Sequence, residues 1–424
     1  MTKGIISGID IGTSKVTTII ASQLEGMEKI NVIGVAVAPS AGLRKSQIVD
    51  IEEAIEAITQ SVEAAERMAG CALSKAFVSV SGNHIKSQNS KGVVAVAEPE
   101  GEISGEDINR VIEAARAISL PASREILHVI PRDFIVDSQE GVKDPLGMTG
   151  VRLEVETHIV TGSSTAMRNL VKCVQELGID IQSLVFSGLA SSEAVLTETE
   201  KELGVCLVDI GGGTTSIAVF IEGSLAYSAV LPIGAKNVTN DLAIGLRVSL
   251  NSAEKIKKAL SQEKKTETDR EEKDELNLSK LGVEESLSKV SRKTIVEGII
   301  QPRQKEIFQM VGEELKKSGY GGGTPAGIVI TGGGAQTVET AQVCKRTLSL
   351  PVRIGSPNAL AGLIDEIKTP DFAVSQGLIL YGHKNFKKPA PSSFSLAKIG
   401  NVFSRIPAKG AVYKVIDFVK SFLP

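Results

Sequence analysis

Three glycine-rich stretches carry residue types able to hold a phosphate. The central one is Val208-Asp209-Ile210-Gly211-Gly212-Gly213-Thr214-Thr215-Ser216, between apolar runs at 205–208 and 217–221. Consecutive glycines allow backbone conformations that a Cβ forbids. Their N–H groups can then converge on one point as an anion nest. Thr214, Thr215 and Ser216 add hydroxyl donors. Asp209 ends the first apolar run, placed to hold a hydrated Mg²⁺ beside the anion. An ordinary glycine hairpin would show the same residues.

Two further stretches argue against that plainer reading. Ser7-Gly8-Ile9-Asp10-Ile11-Gly12-Thr13-Ser14-Lys15 has the same grammar of strand, Asp, glycine turn with hydroxyls, and strand. The self-match predicts two similar halves facing one cleft, with Asp10 and Asp209 as its paired Mg²⁺ candidates. The third stretch, Ile328-Val329-Ile330-Thr331-Gly332-Gly333-Gly334-Ala335, reads as a buried strand ending in a glycine turn that opens a helix. A Walker-type phosphate loop is not present, and no G-x-G-x-x-G follows a strand. Further cleft candidates are Gly234 and Lys236, which start a helix running to Leu246. Glu254 and Lys257, with Lys258, sit on a helix that Asn251-Ser252-Ala253-Glu254 opens, Asn being the cap. These charges could equally form a solvated face.

Hydrophobic periodicity supplies the elements that must position the turns. A third strand is predicted over 30–37, a helix over 48–68 and a strand over 76–80. From 84 to 160 the texture changes to a small inserted α+β unit. Its predicted strands are 93–97, 125–131, 134–136 and 151–160, with a turn-rich 137–150. Ser104-Gly105-Glu106-Asp107 is a near capping box for a helix with Ile108, Val111, Ile112 and Ala115 on one face. A helix over 164–177 and a helix or helix pair over 185–203 lead to the second half. There we expect a strand at 226–232, a long helix at 292–317 that Pro302 could kink, a helix at 336–348, a strand at 352–354 and a closing helix at 372–381. The charged run 261–280 reads as a mobile surface loop or solvated hairpin, not a site. The fold class is α/β. Segments 1–83 and 161–203 form the first core, 84–160 the insert, 204–240 and 311–383 the second core, and 241–310 a small subdomain.

Bulk composition agrees. The 424 residues suffice for two large domains. A net charge of −3, no tryptophan and 4% aromatic residues leave no footprint for nucleic acid. Cys71, Cys173, Cys206 and Cys344 form no C-x-x-C and read as buried thiols in a reducing cytosol, while four scattered histidines offer them no metal partners. Asp10 interrupts the N-terminal apolar run, so no signal peptide is read there. No window approaches a spanning helix in apolar length.

The last segment differs. Residues 384–424 hold eight Lys or Arg and one acid, Asp417. Prolines and serines over 384–409 make a linker, and 410–424 reads as a helix. Val412, Val415, Ile416, Val419, Phe422 and Leu423 form one apolar face, flanked by Tyr413 and Phe418. A basic amphipathic helix of this kind suits an anionic membrane surface, each Lys adding about 1 kcal/mol. A helix docked on the core is the competing reading. Leu396, Ile399, Phe403 and Ile406 form a weaker stripe.

The three glycine turns together resemble the superfamily of actin, heat-shock chaperones and sugar kinases. There, two hairpin turns bind the phosphates and the third holds the adenosine. The insert narrows this. Ile108-Asn109-Arg110 through Glu113-Ala114-Ala115-Arg116, Arg124-Glu125-Ile126-Leu127-His128-Val129-Ile130-Pro131, and Asp144-Pro145-Leu146-Gly147-Met148-Thr149-Gly150-Val151-Arg152-Leu153-Glu154 are similar to the bacterial cell-division family FtsA. The resemblance covers essentially the whole chain. It implies an actin-like two-domain ATPase fold with duplicated halves and an FtsA-type inserted subdomain. It implies ATP and Mg²⁺ binding, self-association into filaments, and contact with other division proteins. It also implies tethering of the tubulin-like protein FtsZ to the cytoplasmic face of the inner membrane at the division site. The FtsZ C-terminal peptide is bound, in the family, by the small subdomain of the second half. That makes Arg303, in Pro302-Arg303 with Glu306-Ile307-Phe308, a candidate partner for the acidic peptide; an exposed helix charge is the alternative. Phe186-Ser187-Gly188-Leu189-Ala190 offers no carboxylate to position an attacking water, so tight ATP binding with slow turnover is expected. A small-molecule kinase and a pilus-assembly adaptor share the cleft, but neither explains the basic tail.

Overall fold

The computed structural model describes residues 4–23, 30–97, 101–262, 274–282, 289–363 and 365–386. The middle of the charged run and everything after 386, including the linker and the apolar face of the terminal helix, lie outside the described residues.

Strands Gly4–Ile11 and Lys15–Gln23 are buried along most of their length and pair antiparallel from Gly4↔Gln23 to Ile11↔Val16. Asn31–Pro39 adds antiparallel to the second strand. On the other side Lys75–Val80 lies parallel to the first strand, and Asp180–Phe186 parallel to that. Ala361–Gly362 completes this six-stranded sheet at its edge. The second half repeats the plan in five strands, ordered Ser224–Leu231, Thr215–Ile221, Val205–Ile210, Ile328–Thr331, Val352–Ile354. Again three strands run antiparallel and two follow parallel. The duplication expected from the Asp-glycine self-match is therefore one of topology. Parallel strands need both faces covered. Helix Ile51–Ala69 covers part of the first sheet; Asp50 caps it by accepting from the Glu53 N–H, and Gly70 ends it at φ 67°.

One apolar core runs from the first sheet into the second, joining Ile9, Val78 and Phe186 to Ala218, Phe220 and Val329. The bridging helix Ser187–Val195 and the closing helix Ala373–Phe386 lie within it. A Cβ on Gly377 would fall 1.8 Å from the Ala190 carbonyl oxygen, so only glycine permits that crossing. A second core lies behind the central hairpin, and a third fills the small subdomain around Leu242, Ile256 and Ile300.

The insert is a four-stranded antiparallel sheet, Lys86–Ala95, Arg152–Ser163, Arg124–Val136, Gln139–Val142, with its own core. Helix Gly105–Arg116 packs on it behind a full Ser104/Asp107 capping box. Hydrogen bonds from the Ser104 hydroxyl and N–H hold the Asp107 carboxyl below its usual range. The insert also grips the second half. The Ser87 hydroxyl donates to the Ser228 carbonyl at 2.7 Å, and His158 sits 2.7 Å from the Ser228 hydroxyl. Burial, then the charges of Arg132 and His128, push the His158 imidazole down to about 3. It is neutral, donating through Nδ1 to Asn89 and accepting from Ser228.

Several local expectations need correction. The strands expected at 125–131 and 134–136 are one strand; Arg132 is bulged out of register beside Pro131, which cannot donate to the ladder. Val185 and Phe186, expected in a helix, complete a strand. The Gln139–Val142 strand lies in the segment expected to be turns. The break in the long helix is a π-helical turn, Val296–Ile300, immediately before Pro302, which sits in the first turn of Gln301–Ser318. Helix Leu250–Gln262 is capped by the Ser249 hydroxyl, which accepts from the Ser252 N–H, and not by Asn251. The charged run contributes a short strand, Glu275–Asn277, that pairs with Lys289–Ser291 and buries Leu276. Cys71 is only half-buried; the other three cysteines are buried and all four are free.

Candidate functional site

The two Asp-glycine turns are built alike and touch. In the first, Gly12 N–H donates to Lys15 O at 3.0 Å; in the second, Gly211 N–H donates to Thr214 O at 2.9 Å. A Cβ on Gly212 would lie 2.0 Å from Ser14 Oγ and 3.1 Å from Ser14 Cβ, so the two turns approach closely there. The Lys236 ammonium donates to the Thr13 carbonyl at 2.9 Å, joining the halves. Its helix starts against the second turn, where the Ala235 and Lys236 N–H groups donate to Gly211 and Gly212 carbonyls.

Asp10 and Asp209 stand beside these turns at the strand ends. The Ser79 hydroxyl donates to Asp10 Oδ1 at 2.7 Å. Burial raises the Asp10 carboxyl, opposed by Ser79 and by the Lys15 charge. Burial pushes Asp209 up to about 7, the charge of Asp10 adds to this, and the Ser191 hydroxyl opposes it. Two acids held in mutual repulsion fit a cation between or beside them. Among the described residues no cluster of three or more His, Cys, Asp or Glu gathers to hold a metal. An ion here would therefore keep most of its waters, which is the habit of Mg²⁺.

The turns open into a cleft of about 940 Å³ between the halves, within the range of nucleotide-sized sites. Asp10, Gly12, Thr13, Ser14, Lys15, Asp209, Gly211, Gly212, Thr214, Lys236, Glu254, Lys257 and Gly332 to Gly334 all line it. Four expected residues do not. Thr215 opens the strand Thr215–Ile221 and faces opposite to its strand neighbour Ser216, which lines the cleft; its hydroxyl donates to the Ile233 carbonyl at 2.8 Å. Gly213 packs under Thr13 and Lys45, Gly234 lies against the Gly211 and Gly212 carbonyls, and Ala335 is buried in the second core.

At the third turn Gly332 adopts φ 81°, and a Cβ there would lie 2.3 Å from Asp209 Oδ1. The turn continues as a 3₁₀ segment, Gly333–Gln336, and the expected helix starts only at Thr340. Gly332→Ala is expected to cost about 2–3 kcal/mol, from positive φ and overpacking together. Denaturant unfolding checks this; unchanged stability would disprove the contact. Lys257 reaches Glu254 at 2.7 Å and the Thr239 hydroxyl at 2.8 Å. Burial would raise Glu254, but the Lys257 ammonium outweighs it and holds the carboxyl low. Lys15 reaches Asp371 at 2.5 Å and lies over the Phe372 ring at 3.6 Å.

Sequence reasoning missed Asp371, Thr239 and a set of serines, Ser46, Ser79, Ser81 and Ser187, while Ser216, expected as a hydroxyl donor of the central turn, lines the cleft. Ser187 stood inside the bridging segment but carried no signal of direction. Ser216 lies 2.9 Å from Ser187 and 3.3 Å from Ser81, so the cleft floor there is hydroxyls. Arg303 is away from the cleft and already paired. Its guanidinium donates to Asp241 at 2.6 and 3.0 Å and also to Glu306.

The chain matches two family models: "SHS2 domain inserted in FTSA" over 82–161 and "Cell division protein FtsA" over 206–377. It is 40% identical over 388 residues to the cell division protein FtsA of Pseudomonas aeruginosa, covering 89% of each chain. It is 40% identical to that of Bacillus subtilis, covering 89% of this chain and 83% of the relative. With Escherichia coli K12 the identity is 36%, over 90% of this chain and 91% of the relative. Among solved structures, the PilM-PilN type IV pilus biogenesis complex superposes with TM-score 0.59 at 17% identity, over 89% of this chain and 98% of that one. MreB5 of Spiroplasma citri bound to ADP gives 0.50 at 14% identity, over 90% of this chain and 96% of that one. These distant likenesses establish the fold, which is actin-like with an inserted subdomain.

Proposed function

The chain belongs to the FtsA family of cell-division proteins, and from that premise we propose that it is an ATP-dependent membrane tether for FtsZ filaments. ATP binds in the cleft. The glycine turns hold its phosphates, and the end near Gly332 to Gly334, Glu254 and Lys257 holds its adenosine. Mg²⁺ sits beside Asp10 and Asp209 and neutralises phosphate charge. The observation that carries this reading is the contact of the two turns with an acid at each strand end, Asp209 buried and Asp10 partly buried.

Turnover is slow or absent. The bridging segment presents Ser187 to the cleft and offers no carboxylate to orient water. Bound ATP instead fixes the angle between halves, and that angle governs stacking of subunits into filaments. The terminal amphipathic segment holds these at the cytoplasmic face of the inner membrane at the division site, where they meet other division proteins. Among the described residues no helix is long and apolar enough to cross a membrane.

The acidic C-terminal peptide of FtsZ docks on the small subdomain, with Arg303 recruited from its internal carboxylates. Immobilised peptide is expected to retain the chain, and Arg303→Glu to weaken retention at least about tenfold, the scale of a broken charge pair. A wild-type chain that is not retained overturns the tether.

A further inference from the structure

Between the third strand and helix Ile51–Ala69 lies a small hairpin that no motif announced. Leu43↔Ile48 and Arg44↔Gln47 pair, and Lys45 and Ser46 form its tip at φ 49° and 58°. A two-residue turn with both φ positive suits a twisted hairpin, but Asn-Gly or Gly-Gly is its usual content. Two side chains carried in left-handed conformations store strain, and such strain concentrates where a site needs the geometry.

The tip reaches the place where the phosphate turns meet. The Ser46 N–H donates to Thr13 Oγ1 at 2.9 Å. The Ser46 hydroxyl lies 3.3 Å from the Thr13 hydroxyl and 3.0 Å from the Thr214 hydroxyl. Thr13 belongs to the first turn and Thr214 to the second, so Ser46 bridges the two halves through one oxygen. Three hydroxyls share two oxygen-to-oxygen links. Each link uses one hydroxyl proton, so one proton remains to donate to a further acceptor. Ser46 lines the cleft, and the hairpin is anchored behind it by Val49 and Asp50 N–H groups donating to the Gly42 carbonyl.

We propose that Ser46 is a positioning and selectivity residue for the terminal phosphate of the bound nucleotide. This rests on the nucleotide-binding reading above. The nucleotide enters with its base toward the third turn, and its last phosphate lies between the first two. Among the described residues, Ser46 hydrogen-bonds to Thr13 of the first turn and Thr214 of the second. Its hydroxyl chain donates the remaining proton to an oxygen of that phosphate, closing the halves on a triphosphate and not on a diphosphate.

The test is calorimetric binding of Mg-ATP and Mg-ADP to the full chain and to Ser46→Ala and Ser46→Gly. Both variants are expected to lose about tenfold in ATP affinity, one hydrogen bond to a charged group, with ADP affinity changed less than about twofold. Thermal melting by circular dichroism is the second readout. Ser46→Gly relieves a positive-φ position, so without nucleotide it should melt no lower than wild type, which separates its ATP loss from a folding defect. Equal loss for both nucleotides, or no loss for either, overturns the role of Ser46 and leaves the cleft's function standing. A wild-type chain that binds neither nucleotide overturns both.

Discussion

Asp209→Ala is expected to abolish Mg-ATP binding, lowering affinity at least about 100-fold, as removal of a buried charged partner does. Asp209 lies 6% exposed at a strand end, beside Asp10 and against Gly332. Burial first, and the Asp10 charge second, lift its carboxyl from 3.8 to about 7. Cation binding needs the ionised form. Mg-nucleotide affinity should therefore fall as pH drops below about 7. The stability linkage has the opposite sense. The folded metal-free chain holds this proton more tightly than the unfolded chain. The stability it contributes is complete below 3.8 and is lost as pH rises to about 7. Asp209→Asn imitates the protonated acid, so without Mg²⁺ it should melt above wild type at pH ~8 and close to it under acid conditions. Wild-type ATP affinity in Asp209→Ala would remove the central assignment.

Ending the chain at Lys388 is expected to release it from lipid. The lost segment includes Lys409, Lys414 and Lys420 and the expected apolar face of Val412, Val415, Ile416, Val419, Phe422 and Leu423. At about 1 kcal/mol per lysine, charge alone gives roughly 100-fold in partitioning onto anionic vesicles. The apolar face adds to this. Co-sedimentation with ATP should bring the full chain down with anionic vesicles and leave the truncated chain in solution. Added salt should weaken binding without ending it, because the apolar contribution is unscreened. Truncation that leaves lipid binding intact means that another surface holds the membrane.

Much of the scaffold was legible because its signals are local. The strand-Asp-glycine-strand pattern needs about ten residues to state itself, and it occurs twice. The Ser104/Asp107 box and the buried face of its helix were equally local. Errors fell where neighbours far along the chain decided the outcome. Val185 and Phe186 suit a helix or a strand, and the waiting edge of Lys75–Val80 made them a strand. The cap was a local error instead: Ser249 displaced Asn251 because that helix starts one residue before the asparagine. Arg303 showed its charge in the sequence but not Asp241, which lies 62 positions away.

The sequence by itself determined that two Asp-glycine turns and a third glycine turn exist, that they come from duplicated halves, and that a basic amphipathic segment follows. Glycine's freedom and hydrophobic period are properties of a few adjacent residues. Only the tertiary structure decided which of two adjacent threonines faces the cleft, how tightly Asp209 holds its proton, and that Ser46 stands between the turns. It also decided that the insert of the first half grips Ser228 of the second. Those depend on which surfaces meet when distant segments close on one another, and no short stretch of chain carries that distance.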